Sequence, residues 1–154
     1  MSLFNESRMA LAELDQVQPS PPPATVGKRY EMLRKAFDVH FATLLKQYDS
    51  SATDYDAQKI SRESYYSEVK GLALRLESMA KYLDAIPVPP EKAPANLHRS
   101  LACGLMAQAA SSLLDYLESN SDKAKSNAAT FSTQAKKETE EAEKLEGNKV
   151  IVTK

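Results

Sequence analysis

This chain of 154 residues has very few of the residues on which disulfides, metal sites and phosphate loops depend. It contains no tryptophan, one cysteine, two histidines and four glycines. One cysteine excludes an intrachain disulfide, and two histidines with one cysteine are too few ligands for a structural zinc site. The glycines lie at positions 27, 71, 104 and 147, too far apart for a glycine-rich phosphate loop. We therefore expect no metal and no other cofactor.

Net charge and long apolar runs are also scarce. The formal net charge is −1, without the basic excess that nucleic-acid-binding surfaces carry. The uncharged segment 101–114 is shorter than the roughly 20 apolar residues that span a bilayer. The N-terminus has acidic residues and lacks the basic segment and apolar core of a signal peptide. These features predict a protein of the cytoplasm or of a virion interior, with no membrane association and no nucleic-acid partner.

What the sequence does contain is a set of apolar residues spaced alternately by three and four positions. This spacing places one side chain per turn on a single helix face, as in a helical bundle or coiled coil. The two clearest series are Tyr30, Leu33, Phe37, Phe41, Leu44 and Tyr48, and Val69, Leu72, Leu76, Met79, Leu83 and Ile86.

Turn-forming residues and prolines divide the body of the chain into four helical segments. We predict an all-α fold, an antiparallel four-helix bundle over residues 26–146, which is long enough to close its own core. The predicted helices span 26–49, 53–86, 95–119 and 122–146.

Short polar turns at 49–53 and 119–122 predict two antiparallel hairpins, and the proline-rich crossover 87–94 joins them. The second helix is predicted to be the longest, and its Tyr55, Tyr65 and Tyr66 are expected to project or to meet a partner. The third helix is predicted to bury a face made of Leu97, Leu101, Leu105, Ala109, Leu113 and Leu117.

The two ends of the chain differ from the body. Residues 1–17 form an amphipathic segment, which a proline-rich linker at 18–25 separates from the bundle. Residues 147–154 form a tail with a β-prone run. Amphipathic helices dock in grooves and extended segments add to sheet edges, so we expect these ends to bind a protein partner. The residues expected to do so are Leu3, Phe4, Leu11, Leu14, Val150, Ile151 and Val152. An arm that packs on its own bundle is the alternative.

One pair of residues suggests chemistry. Arg34 and His40 resemble the Arg and His of HEPN-type ribonucleases, which bring two such helices together in a dimer. In that family a Tyr stands two residues after the His, where this chain has Ala42. The resemblance implies a dimeric ribonuclease in which the Arg stabilises a phosphorane and the His moves a proton.

A basic patch on the first predicted helix gives a third hypothesis, a nucleic-acid-associated subunit. It consists of Lys28, Arg29, Arg34 and Lys35, with Tyr30 among them as a residue that would stack on bases. Because the chain offers no other site chemistry, we expect a non-enzymatic helical interaction module. Such a module would be an adaptor or structural subunit of a larger bacterial or viral assembly, with a homo-oligomer as one form of it.

Overall fold

The structure is a computed structural model that describes the backbone of residues 23–151 and the side chains of 25–147. It contains four α-helices: α1 (Pro23–Asp56), α2 (Arg62–Ala85), α3 (Ala93–Ser119) and α4 (Asp122–Ile151). A single 3₁₀ turn, Pro90–Lys92, precedes α3. No strand occurs between residues 23 and 151, so the predicted all-α bundle is confirmed.

Hydrogen bonds at both ends of α2 and α3 show that these helices run antiparallel. At one end, Nε of Arg62 donates to the carbonyl oxygen of Leu117 over 2.8 Å. At the other end, the side-chain amide of Asn96 donates to the carbonyl oxygen of Leu83 over 3.1 Å. The proline-rich crossover therefore reverses the direction of the chain and places α3 directly beside α2.

The two clearest apolar series form the core, as their spacing predicts. All six residues of the series on α2 and its C-cap are buried, and so are five of the six on α1. The sixth, Tyr48, is half-buried and packs against the same core. The rings of Phe37 and Phe41 stack with their centroids 5.6 Å apart. Cys103, on α3, is fully buried in this core.

Helices α3 and α4 pack through a row of alanines, here called the alanine seam. Both rows repeat every seven residues, the period of coiled-coil contacts. The ion pair of Lys92 with Glu146 and the side-chain contact of His98 with Glu138 fix the antiparallel register. In that register the buried pairs are Ala95 with Ala142, Ala102 with Ala135, and Ala109 with Ala128. The backbones of these two helices approach each other more extensively than those of any other pair.

The first hairpin turn lies at residues 57–61, so the predicted turn at 49–53 is wrong. Helix α1 continues through that segment because its polar side chains bond without breaking the helix. The hydroxyl of Ser51 donates to Glu68 on α2 over 2.6 Å, and the hydroxyl of Thr53 donates back to the carbonyl oxygen of Asp49.

The true turn has a left-handed residue and a side-chain cap. Gln58 has a φ of 60°. Ser61 is the N-cap of α2, and its hydroxyl accepts a hydrogen bond from the backbone N–H of Ser64 over 3.0 Å. Ile60 and Tyr65 flank this cap and pack into one cluster, as in a hydrophobic staple.

Because the turn lies at 57–61, Tyr55 belongs to α1 while Tyr65 and Tyr66 belong to α2. The expectation that these three side chains project is wrong. Tyr55, in the last turn of α1, stacks on Tyr65 of α2 with ring centroids 4.6 Å apart. Tyr65 is buried, and burial raises its pKa to about 12. Tyr66 is partly buried in the same cluster and donates a hydrogen bond to Glu118 of α3. These side chains form a second core at the far end of the bundle.

The predicted break at 119–122 is confirmed, and Asn120 ends α3 with a φ of 57°. The predicted end of α4 near Gly147 is wrong, because the helix continues to Ile151. Val150 and Ile151 are therefore helical and do not form a β-prone tail. The arm at 1–17, residues 18–22 of the predicted linker, Val152 and the last two residues lie outside the described residues. The predicted linker boundary at 25 is wrong, because α1 already begins at Pro23.

Candidate functional site

The residues of the ribonuclease hypothesis do not meet within the chain. His40 is six positions after Arg34, which places the two residues about 120° apart around α1 and about 9 Å apart along it. The Arg34 guanidinium is held by two carboxylates of its own helix, Glu31 at 2.6 Å and Asp38 at 3.1 Å. Its charge is therefore compensated locally.

His40 lies on the side of α1 that faces α2, and only 6% of its surface is exposed. Burial and the positive charge of Arg75 lower its pKa. Both effects favour the neutral imidazole. His40 is therefore part of the buried interior of the bundle, and bulk solvent has little access to its imidazole.

The most developed charged group in the described chain surrounds Arg99, a residue that the sequence interpretation missed. Its side chain is 6% exposed and crosses between three helices. Nε pairs with Asp38 of α1 at 3.0 Å, and a terminal nitrogen pairs with Glu146 of α4 at 3.1 Å. The hydroxyl of Tyr30 lies 3.5 Å away. We call Tyr30, Asp38, Lys92, Arg99 and Glu146 the Arg99 network.

Charges are matched inside this network. Burial acts to raise the pKa of Glu146, but hydrogen bonds and charge from Lys92 and Arg99 outweigh it and lower that pKa. Burial raises the pKa of Tyr30, partly offset by Arg99. A buried guanidinium with two carboxylate partners is satisfied by the protein itself. The network therefore joins α1, α3 and α4, and it presents no cation to a ligand.

The basic patch is divided by the helix. Lys28 and Lys35 are exposed on one face, while Arg29 is half-buried on another face and Arg34 is held in its ion pairs. Tyr30 is 1% exposed and lies in the core, so the expectation that it stacks on bases is wrong.

The predicted buried face of α3 is wrong in its first half. Leu97 is 57% exposed and Leu101 is 43% exposed. The buried face is rotated and carries Asn96, Arg99 and Ser100 in place of leucines. The signal that could have located it is the spacing of Arg99, Cys103, Met106 and Ala110, which also follows steps of three and four.

The exposed leucines lie at the start of the uncharged stretch of α3. Leu97 and Leu101 are one turn apart on the outer face of α3, and Gly104 and Gln108 continue that face. No charged side chain occurs from Ser100 to Leu114. We call this surface the leucine face.

Two grooves flank α1, because its large side chains keep it away from its neighbours. The groove toward α2 has a volume of about 460 Å³ and a largely polar lining that includes Thr43, Gln47, Ser51 and Glu68. The groove toward α4 has a volume of about 230 Å³. Its lining is mostly apolar and includes Phe37, Phe41, Leu45, Ala102 and Ala142.

Neither a metal cluster nor a membrane span is found in the described part of the chain. No group of three or more His, Cys, Asp or Glu side chains there is arranged to hold a metal ion. Among the same residues, no helix combines the length and apolarity required to cross a bilayer. Comparison of the chain with protein-family models, curated proteins and solved structures finds no match in any of the three.

Proposed function

We propose that this protein is a non-enzymatic helical interaction module, an adaptor or structural subunit that attaches to a protein partner. The observation that carries this proposal is the leucine face, where two large apolar side chains on the outer side of α3, Leu97 and Leu101, are about half exposed. The terminal segments, with Leu3, Phe4, Leu11, Leu14, Val150, Ile151 and Val152, are the further points of attachment.

The energetics of the leucine face support this function. Full burial of a leucine side chain from water is worth about 1.5–3 kcal/mol. Leu97 and Leu101 are already about half buried, so a partner that covers them gains roughly half of that for each. The outer face also includes Gly104, where an added Cβ would meet nothing within 4 Å. A partner helix can therefore approach α3 closely at this point.

The state of the ionisable groups also favours a binding role over catalysis. Arg34 and Arg99 are neutralised by carboxylates of the same chain. The imidazole of His40 is buried. General acid–base chemistry requires groups that reach a substrate. The described side chains instead use their charges to hold helices together.

The test compares the intact chain with a Leu97→Gln/Leu101→Gln variant and with a chain lacking residues 1–17. The matched control is Leu74→Gln, because Leu74 is 59% exposed on α2 and lies on a face with charged neighbours. A co-purified protein is identified by mass spectrometry, and the complex is rebuilt from purified components and weighed by light scattering.

We expect the rebuilt complex to form with the intact chain and the Leu74 control, and to be weakened by the double variant and by the truncation. A complex of unchanged affinity in all four proteins would contradict the proposal. RNA cleavage by the intact chain, abolished by Arg34→Ala or His40→Ala, would replace it with the ribonuclease alternative.

A further inference from the structure

Helix α3 lies in the middle of a layer of three helices, and α1 covers one side of that layer. Hydrogen bonds at both ends join α3 to α2, and the alanine seam joins it to α4. The Arg99 side chain points from α3 toward Asp38 of α1. Leu97 and Leu101 stand two positions before and after Arg99, about 160° around the helix from it. The leucine face is therefore on the side of the layer away from α1.

We call the outer side of α2, α3 and α4 together the layer face. Leu97 and Leu101 lie at its middle, with Lys81 on the α2 edge and Lys137 on the α4 edge. Helices α2 and α3 have 24 and 27 residues, so at about 1.5 Å per residue they are roughly 36–40 Å long. Three helices spaced by about 8–10 Å make this face about 25 Å wide, with an area of about 900 Å². A stable dimer buries about 800 Å² of each partner, with an apolar middle and a polar rim.

The α3 row of the layer face is self-complementary when two copies run antiparallel. Leu97, Leu101, Gly104, Gln108 and Ser111 follow one another at alternating steps of four and three, the spacing of a coiled-coil seam. With a twofold axis between Leu101 and Gly104, each Leu101 packs against Gly104 of the other copy, where an added Cβ would meet nothing within 4 Å. Each Leu97 then lies against the aliphatic part of Gln108.

Two charged side chains of α2 border the leucine face. Glu77 lies seven positions before Asp84 and therefore on the same side of α2. The carboxylate of Asp84 accepts a hydrogen bond from Ser100 of α3 over 2.6 Å, so this side of α2 is the edge next to α3. Lys81 follows Glu77 by one turn, and both side chains are exposed. Within the described residues neither forms an ion pair, so both charges are available to a partner.

The twofold axis of the α3 row also relates these two charges. Two hydrogen bonds give the antiparallel register of α2 and α3, one joining positions 96 and 83 and one joining positions 100 and 84. Counted from either bond, position 79 of α2 lies beside positions 100–105 of α3, where the axis crosses. Position 79 is midway between Glu77 and Lys81. The axis therefore brings Glu77 of each copy opposite Lys81 of the other.

We propose that the partner of the leucine face is a second copy of this chain, bound antiparallel through the layer face. The four leucines of the two copies fill the middle of the interface, and two intermolecular Glu77–Lys81 ion pairs lie on its α2 side. This inference rests on the proposed function, because it identifies the partner of the same surface.

The other charges of α2 and α3 on this face agree with the antiparallel orientation. Asp84 lies opposite Leu74 of the second copy, so Leu74→Gln stays a neutral control. Lys70 lies opposite the uncharged proline-rich crossover. Asp115 meets the turn Pro90–Lys92, which contains one acidic and one basic residue. In a parallel dimer the Asp115 side chains of both copies would instead face each other.

The charges of α4 contribute little to the choice of orientation. The alanine seam places the axis near position 134 of α4. Lys137 and Glu141 then lie opposite positions 128–132 of the second copy, which carry no charge. Lys123 and Lys144 face each other about 15 Å from the axis, at the exposed rim, where salt screens their repulsion. The electrostatic attraction between the copies is therefore concentrated on α2.

The test reverses the two charges of α2 one at a time and then exchanges them. Sedimentation equilibrium gives the dissociation constant of the dimer for the intact full chain, for Glu77→Lys, for Lys81→Glu, and for the double variant Glu77→Lys/Lys81→Glu. The matched control is Lys35→Glu, which changes the net charge as Lys81→Glu does, at an exposed position of α1. Circular dichroism verifies that all variants are folded.

We expect the intact chain to be a dimer. Each single reversal should raise the dissociation constant at least about tenfold, because it places like charges together twice in one dimer. The double variant restores both ion pairs, so its dissociation constant should return to within about threefold of the intact value. The Lys35→Glu control should dimerise like the intact chain, and Leu97→Gln/Leu101→Gln should weaken the dimer.

A chain that remains monomeric at about 0.1 mM, or a dimer that the single reversals leave unchanged, would overturn the proposal. A dimer that both reversals weaken and the exchange fails to restore would overturn it as well. In that case Glu77 and Lys81 would face other charges, as in a parallel dimer, where α2 of one copy lies against α4 of the other.

The outcomes separate this inference from the proposed function. A monomeric chain that binds a different protein through Leu97 and Leu101 leaves the interaction module standing and removes only the second copy as the occupant of this face. A monomeric chain whose complexes are insensitive to both leucines removes the leucine face from the proposed function too.

Discussion

The alanine seam between α3 and α4 and the aromatic face of α1 achieve the same burial with side chains of opposite size. Six alanines, each nearly inaccessible, let two helix backbones run close together. Tyr30, Phe37 and Phe41 are also buried, yet their volume keeps α1 at a distance from its neighbours. The comparison shows that the residue size on a buried face sets the spacing of helices, and with it the position of grooves.

The largest expected effect comes from truncating the aromatic face. Phe41→Ala removes a buried ring that stacks on Phe37 and leaves a cavity beside the α1–α4 groove. We expect the free energy of unfolding to fall by about 3–5 kcal/mol, measured by urea denaturation. Val39→Ala, at an exposed position of the same helix, should change it by less than about 0.5 kcal/mol. If Phe41→Ala changed the free energy of unfolding as little as Val39→Ala does, α1 would be loosely packed against the rest of the bundle.

An intermediate effect is expected from enlarging the alanine seam. Ala135→Leu introduces side-chain volume where Ala102 lies opposite, so the two helices must separate. We expect a loss of about 1–3 kcal/mol in the free energy of unfolding. Ala129→Leu, at an exposed position on the same helix, is the control and should be nearly neutral. A stabilised Ala135→Leu variant would mean that α3 and α4 leave unfilled volume between them at this position.

The smallest expected effect on stability concerns the Arg99 network, which connects α1, with its aromatic face, to the alanine seam of α3 and α4. The pKa of Glu146 is lowered from 4.5 in the folded chain, so its contribution to stability is present above about pH 4.5. That contribution is lost as the pH falls through the lower folded-state pKa. We therefore expect the melting temperature of the wild type to fall more steeply below pH 4.5 than that of Glu146→Gln.

The control for this pH series is Glu143→Gln, an exposed carboxylate on the same helix. Its melting temperature should follow the pH dependence of the wild type. Parallel curves for the wild type and Glu146→Gln would show that the ion pairs with Lys92 and Arg99 do not stabilise the fold.

Much of the fold could be predicted because the evidence for it is local. The series on α1 and α2 identified their buried faces, and Asn120 and the prolines after Ala85 marked real ends. The turn at 49–53 was misplaced because Ser51 and Thr53, which often cap helices, here bond within α1 and across to α2. That contact depends on a residue seventeen positions away.

The candidate site was harder to predict from the sequence. Leu97 and Leu101 were assigned to the core because a leucine at helical spacing is usually buried. The structure instead buries Arg99 on the opposite side of α3. Nothing near Arg99 in the sequence indicates that its charge will be matched, since its partners Asp38 and Glu146 lie 61 and 47 residues away.

The sequence by itself determined that this chain forms helices, where α2 and α3 end, and which faces of α1 and α2 are apolar. Periodicity and chain breakers act over a few residues, so local physics is sufficient for these features. Only the tertiary structure decided which face of α3 is buried, how closely each pair of helices packs, and where the grooves lie. These depend on charges and side-chain volumes that distant helices bring together.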